Sequence, residues 1–221
     1  MNQNKFIVIE GPDGSGKKTQ FLRLVEKLKN AGYEISAFDF PQYSDASSHF
    51  VREYLAGKYG GLDDVGPHKA SIFFALDRFG ATGAIKNALA SQKIVVSNRY
   101  VASNMAHQGA KIKKLNDRLE YFKWLHDFEF NVLGIAKPGL NIILSVSQET
   151  SQKLLDKTGK VKDIYETDID YQKAVGNIYA EIAELFPDDF KIINCMADNQ
   201  LLSPEVIEQK VWEVVKEYLK I

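Results

Sequence analysis

The sequence predicts a three-layer α/β fold in one domain, residues 1–221: a central five-stranded parallel sheet flanked by helices, with a short lid at about 150–167. Three observations predict it. Short apolar runs alternate with stretches of helical spacing, a glycine-rich loop separates the first run from the first helix, and no linker-like composition divides the chain. Strands covered on both faces read as unbroken apolar runs, and such sheets bind ligands at the carboxyl ends of their strands.

The first strand is Phe6-Ile7-Val8-Ile9, ended by Glu10-Gly11, and Phe21, Leu24, Val25 and Leu28 give Lys17 to Ala31 the spacing of a helix. A second strand runs from Tyr33 to about Phe40, where Pro41 keeps it from continuing as an interior strand. Pro67 opens a long helix to about Ser91, before a third strand at Lys93 to Ser97. Leu115 to Ala136 reads as helix and Leu140 to Val146 as the fourth strand. The lysine-rich segment Thr150 to Thr167, broken by Gly159, has the composition of a mobile surface lid. A helix from about Tyr171 to Leu185, a fifth strand at Phe190 to Asn194 and an amphipathic helix from Pro204 complete the chain.

Composition narrows the function. With 45% hydrophobic and 26% charged residues and a net charge of −1, the chain is globular and has no positive field to hold a polyanionic backbone, so nucleic acid is not an expected partner. The apolar runs are too short for a signal sequence or a bilayer span, which predicts a soluble protein without a membrane partner. A lone Cys195 excludes an internal disulfide and suits a reducing, cytoplasmic setting.

Gly11-Pro12-Asp13-Gly14-Ser15-Gly16-Lys17 is a phosphate-binding loop. Its glycines let successive N–H groups curl toward phosphate oxygens, its lysine adds a mobile charge, and the following helix N-terminus favours the anion. Gly11 to Thr19 are therefore the residues expected to bind a nucleoside triphosphate, the ATP of the resemblance given below. Lys18 stands where Ser or Thr usually presents a hydroxyl to magnesium. Either Thr19 or water replaces that hydroxyl, or Lys18 adds charge and the metal is held differently; the metal ligands stay open.

Four further patches gather polar groups at element ends: Phe40-Pro41-Gln42-Tyr43, Phe74 with Arg78, Asn98-Arg99-Tyr100, and Ser103-Asn104 with His107-Gln108. Phe74 and Arg78 share a helix face, an aromatic plane beside a guanidinium. Only five arginines stand against 23 lysines, and two of the five, Arg78 and Arg99, fall in these patches. Arginine forks onto phosphate oxygens where lysine gives a point charge.

Taken in order, these residues resemble the thymidylate kinase family of P-loop nucleoside monophosphate kinases. The resemblance rests on the Glu10-Gly-x-Asp-Gly-x-Gly-Lys loop, Phe40-Pro41-x-Tyr43, Phe74-Ala-Leu-Asp77-Arg78, Asn98-Arg99-Tyr100-x-x-Ser103-Asn104 and the lid, nearly the whole chain. It implies a P-loop kinase fold, a homodimer, and ATP with Mg2+ phosphorylating thymidine monophosphate. Lys17, Arg99 and Asp13 would form the catalytic set. Asp13 would meet the deoxyribose 3′-hydroxyl or the metal's hydration shell, Phe74 would stack on thymine, and Arg78 would hold the base or the acceptor phosphate. Arg99 would hold that phosphate, Asn104 the thymine edge, and Phe40 and Pro41 would wall the pocket, with Ser103 and Gln108 beside them. His107 stands where the family often has a tyrosine that disfavours a ribose, or is simply a packed imidazole.

Other positions depart from the family. Asn98 replaces the usual aspartate, removing a partner for magnesium or lysine, and neither Gly14 nor any lid position is arginine. Lys153, Lys157, Lys160 and Lys162 are the lid cations that remain. Transfer between two anions needs alignment and charge neutralisation rather than a strong base, a role for Lys17, Lys18, Arg99 and a lid lysine. A kinase of the same fold for another nucleoside monophosphate, or a nucleotide-binding module with impaired catalysis, are the alternatives.

Overall fold

The computed structural model describes residues 4–61, 64–157, 165 and 168–221, with Lys157 as backbone only. Five parallel strands, β1 (Phe6–Glu10), β2 (Ile35–Asp39), β3 (Ile94–Asn98), β4 (Leu140–Ser145) and β5 (Phe190–Asn194), stand in the order β2-β3-β1-β4-β5. The central strand β1 is wholly buried, as its uninterrupted Phe-Ile-Val-Ile run requires. It pairs Ile9 with Asn98 on one side and Glu10 with Ile143 on the other. The second strand lies at an edge, where the proline that follows it is tolerated.

Successive strand residues point to opposite faces and build two cores. Ile7, Ile9, Val96 and Leu144 pack under α1 (Lys17–Asn30) and α8 (Pro204–Leu219). Phe6, Val8, Val95 and Ile143 pack under α3 (Pro67–Ala90), α4 (Val101–Gly109), α5 (Leu115–His126) and α7 (Ile169–Leu185). Helix starts carry the expected chemistry: Ser203 accepts from Val206 N before Pro204, and Asp168 accepts from Tyr171 N. Among the described residues no helix is long and apolar enough to cross a membrane.

Four local readings are corrected. Helix α4 was read only as polar positions; all nine of its residues are buried, so its polar face, Ser103, Asn104, His107 and Gln108, is turned inward rather than to solvent. Short α2 (His49–Leu55) and the hairpin β6 (Met196–Ala197) with β7 (Gln200–Leu201) were also unread. The helix expected to reach Ala136 leaves α geometry at His126, continues as a π-helical turn over Asp127–Val132, and stops at Gly134, whose φ is +61°. Leu133 N bonds Phe128 O at 2.9 Å, the longer span of a π turn.

The fourth correction concerns the lid. Gln148–Lys157, which takes in the start of the expected lid, is a helix, α6, where no helix was expected, with Leu154 and Leu155 partly buried. Lys160 and Lys162, and the rest of the predicted lid except Tyr165, lie outside the described residues.

Candidate active site

The carboxyl ends of β1, β2 and β3 deliver the phosphate loop, Asp39-Phe40 and Asn98-Arg99 to one edge of the sheet. In the loop, Gly14 has φ +75°, and a Cβ there would run into the Ser151 carbonyl oxygen of α6. Ser151 Oγ in turn donates to the Asp13 carbonyl. The helix thus occupies the space that an arginine at position 14 would need, a physical reason for glycine there. Lys17 is buried and donates to Pro12 O at 2.7 Å, with Asp13 Oδ1 3.7 Å away. Burial and then the Arg99 charge lower its ammonium to about 7, against the pull of Asp13. Lys18 and Thr19 are exposed on the outer side of the turn.

Arg99 occupies the left-handed region, φ +64°, which a non-glycine residue holds at a cost of about 1–3 kcal/mol. The turn is secured from both ends: Arg99 N donates to Ile9 O at 2.9 Å, and Ser97 Oγ donates to Arg99 O at 2.7 Å. It aims the guanidinium across the sheet edge at Asp13, whose Oδ1 accepts from Arg99 Nη2. Burial alone would raise the Asp13 carboxyl, but Arg99 and Lys17 outweigh it and hold the group well below the usual carboxylate range. His107 Nε2 lies 3.3 Å from Arg99 Nη1. Burial first, and the Arg99 and Lys17 charges next, push its pKa down to about 3 against the opposing pull of Asp13, so the ring is uncharged and accepts from the guanidinium.

Two buried carboxylates organise the rest, and neither was assigned a role from the sequence. Glu10 Oε1 accepts from Tyr100 N at 2.7 Å and Ser103 N at 3.2 Å, while Oε2 accepts from Ser103 Oγ at 2.6 Å and Tyr179 OH at 3.0 Å. A carboxylate at the first turn of α4 satisfies its free N–H groups and fixes the helix that carries Ser103, Asn104, His107 and Gln108. Glu129, placed inward by the π turn, forks onto Arg78 through Nε at 2.6 Å and Nη2 at 2.5 Å. Asn104 Nδ2 donates to the same carboxylate at 3.2 Å and to Ser71 O at 3.1 Å. An ionisable residue closing a strand of four apolar residues was the available signal for Glu10; Glu129 offered none, since its inward position depends on the π turn.

Phe40, Pro41, Phe74, Arg78, Arg99, Ser103, Asn104, His107, Gln108 and Asp13, far apart in sequence, line one cleft. The cleft also takes in Tyr43, Leu55, Asp77, Tyr100 and Tyr165. Phe40-Pro41 is a cis peptide, and Asp77 ties the following loop to α3 by accepting from Gln42 N at 2.9 Å and Ser47 Oγ at 2.7 Å. Tyr165 accepts from Gln108 Nε2 at 2.8 Å and donates to Tyr54 OH at 2.6 Å. Two acceptors inside this wall, Asn104 Oδ1 and Gln108 Oε1, are buried without a hydrogen-bond partner among the described residues. Each carries a desolvation cost that a ligand donor would relieve.

Of the lid cations, Lys153 pairs with Glu149 at 2.6 Å on an exposed face of α6 and is not brought to the cleft. Lys157 is described in its backbone alone. A further carboxylate, Asp39, stands at the end of β2: its Oδ1 accepts from Asn98 Nδ2 at 2.6 Å and its Oδ2 lies 3.1 Å from Lys18 Nζ. Among the described residues no group of three or more His, Cys, Asp or Glu side chains is placed to hold a metal.

Comparison with known proteins adds an independent line. The thymidylate kinase family model matches residues 9–205. A thymidylate kinase of Mycobacterium tuberculosis (strain ATCC 25618 / H37Rv) is 33% identical over 183 residues, 80% of this chain and 85% of that one. A probable thymidylate kinase of Thermococcus kodakarensis is 32% identical over 206 residues, 91% and 95% of the two chains. The solved structure of thymidylate kinase from Candida albicans shares the fold, with a TM-score of 0.76 at 23% identity, over 97% of this chain and 92% of that one. A match across this much of the chain, on a sheet that presents a phosphate loop beside a base-sized cleft, shows that the chain belongs to the thymidylate kinase family.

Proposed function

We propose that this chain, as a single kinase domain, transfers the γ-phosphoryl group of ATP to the 5′-phosphate of thymidine monophosphate, yielding thymidine diphosphate and ADP. The observation that carries the reading is the polarity of the cleft. Asn104 Oδ1 is a buried free acceptor, and beside it Arg78 spends Nε and Nη2 on Glu129 while Nη1 reaches only Tyr100 O at 3.5 Å. An acceptor next to a donor matches the N3–H and adjoining carbonyl of thymine; cytosine presents a bare acceptor at N3 and meets Asn104 Oδ1 like against like. Phe74, half-buried with its ring edge-on to Tyr54 at 6.2 Å, offers the plane for stacking.

The ion pair with Glu129 takes up the charge of Arg78, which supports a role at the base rather than at the phosphate. Arg99 is then the acceptor-phosphate arginine, between the cleft and the phosphate loop, with Asp13 and uncharged His107 fixing its plane. Lys17 and the loop N–H groups hold the donor phosphates. No general base is required, since the attacking oxygen is already anionic; alignment and charge neutralisation supply the rate. Mg2+ entering with ATP would supply charge neutralisation at the donor phosphates, beside Lys17 and the loop N–H groups. The lone, buried Cys195 thiol suits a cytoplasmic setting.

A panel of nucleoside monophosphates assayed by coupled ADP release tests the assignment. Thymidine monophosphate is expected to lead the panel, and Arg99→Ala to lower kcat by about 10²–10³. A pyrimidine with an amino group at C4, or a purine, leading the panel overturns the reading.

A further inference from the structure

Asp39, Asn98 and Lys18 form a cluster at the sheet edge that the phosphoryl-transfer roles above leave unused. The parallel register sets Asp39 directly beside Asn98. Their contact is a 2.6 Å hydrogen bond from Asn98 Nδ2 to Asp39 Oδ1. That bond spends the amide nitrogen and leaves Asn98 Oδ1 buried with no partner among the described residues, on a side chain that is 6% exposed. On its other side, Asp39 Oδ2 holds Lys18 Nζ at 3.1 Å, and both of those side chains reach solvent, 67% exposed for Lys18 and 40% for Asp39. Lys18 follows the phosphate-loop lysine directly, at the position where a hydroxyl for magnesium is usual.

The cluster offers a carboxylate and a buried amide oxygen, both hard ligands of the kind Mg2+ takes together with phosphate oxygens and retained waters. The donor set therefore fits the ion. Residue 98 carries no charge, and the contact with Asp39 gives the reason: two carboxylates in hydrogen-bond contact would repel and drive one to take up a proton. Only one of the paired positions can be a free anion, and here it is the one on β2.

We propose that Asp39 supplies the carboxylate that serves the Mg2+ of bound Mg·ATP, with Asn98 Oδ1 as its neutral companion, and that Lys18 is the exchangeable counter-ion of Asp39 when Mg2+ is absent. An exposed lysine–carboxylate pair is weak, so a divalent ion anchored by triphosphate displaces it readily. Lys18 is then free to turn toward the phosphates, which reconciles a lysine in the hydroxyl position with a metal-dependent donor site. The inference rests on the proposed use of Mg·ATP and concerns the donor side alone.

The test is the Mg2+ dependence of nucleotide binding in the full chain, read without turnover. Affinity for a non-hydrolysable ATP analogue is measured by calorimetry with and without Mg2+, and Mn2+ is followed by electron paramagnetic resonance as a second probe. For Asp39→Asn, the gain in analogue affinity on adding Mg2+ is expected to fall about 10-fold or more, with metal-free affinity retained. The double variant Asp39→Asn/Asn98→Asp, which moves the carboxylate across the pair, is expected to recover the gain to within about threefold and to restore Mn2+ binding. The double variant also guards against misreading a folding defect. An Asp39→Asn protein that keeps the full Mg2+ gain overturns the proposal, as does a folded double variant that fails to recover it. Acceptor-dependent ADP release, assayed in parallel on the native chain, fails separately if the thymidylate assignment is wrong.

Discussion

Lys17 shows how far burial can move a single residue. Its ammonium is held near 7 in the ligand-free loop by desolvation and by Arg99, and a triphosphate brings an anionic partner whose attraction opposes both. The bound state therefore has the higher pKa, so binding above pH 7 takes up a proton at this site. By linkage, ATP affinity falls by about tenfold per unit as pH rises from 7 toward 9. Calorimetry in two buffers of different ionisation enthalpy measures that uptake, and Lys17→Arg, permanently charged, is expected to lose the slope whatever its affinity. A native slope of zero over this range would contradict the assignment of Lys17 to the phosphates. Lys17 and Arg99 were both legible as residues in the sequence. The chain of contacts that tunes them, from Asp13 to Arg99 to the uncharged ring of His107, was not, because Asp13 and Arg99 lie 86 positions apart and meet only across the sheet edge.

Elements rather than residues explain the base side of the cleft. The π turn after α5 is what carries Glu129 inward, and Glu129 fixes both Arg78 and Asn104. Both partners of the ion pair are almost fully buried, 3% and 0% exposed, so removing one charge leaves the other uncompensated in low dielectric. Glu129→Gln is expected to destabilise the fold by about 3 kcal/mol, which for a chain of this size lowers the unfolding temperature by about 6–12 °C. KM for thymidine monophosphate should rise as well, because Arg78 and Asn104 lose the group that orients them. Thermal unfolding and steady-state kinetics check this; an unfolding temperature within a degree of the native one would refute a structural role for the pair. A continuous α-helix to Ala136 was the reasonable sequence reading, since apolar spacing cannot distinguish a helix that widens from one that does not. Helix α4 was missed for another reason: its polar face, Ser103, Asn104, His107 and Gln108, was read as site chemistry and not as one side of a short helix.

At the scale of the whole molecule, α3 has two apolar sides. One packs into the core through Ala70, Ala75, Ala81, Ile85 and Ala88, while Leu76, Phe79, Gly83 and Ala84 form a second stripe that faces solvent, with Phe79 50% exposed. Phe50 on α2 adjoins it, also exposed and stacked on Phe73 at 5.8 Å. A helix apolar on both sides is expected to be covered, and we propose that a second copy of the chain covers it as a homodimer. Sedimentation velocity should find the native protein at twice the 24.9 kDa chain mass and Phe79→Glu as the single chain. A native monomer at tens of micromolar would end that proposal. Sequence alone determined the alternation of strands and helices, the phosphate loop and the residues that line the cleft, because apolar periodicity and glycine or arginine chemistry act within a few residues of each other. Tertiary structure decided what those positions do to one another. It showed that Arg78 is neutralised while Arg99 is shared with Asp13, that α6 covers the loop at Gly14, and that a carboxylate missing from position 98 stands one strand away at Asp39. The reason is physical: electrostatics and burial depend on distance in space, and a parallel sheet brings together chain segments whose separation in sequence carries no trace of that distance.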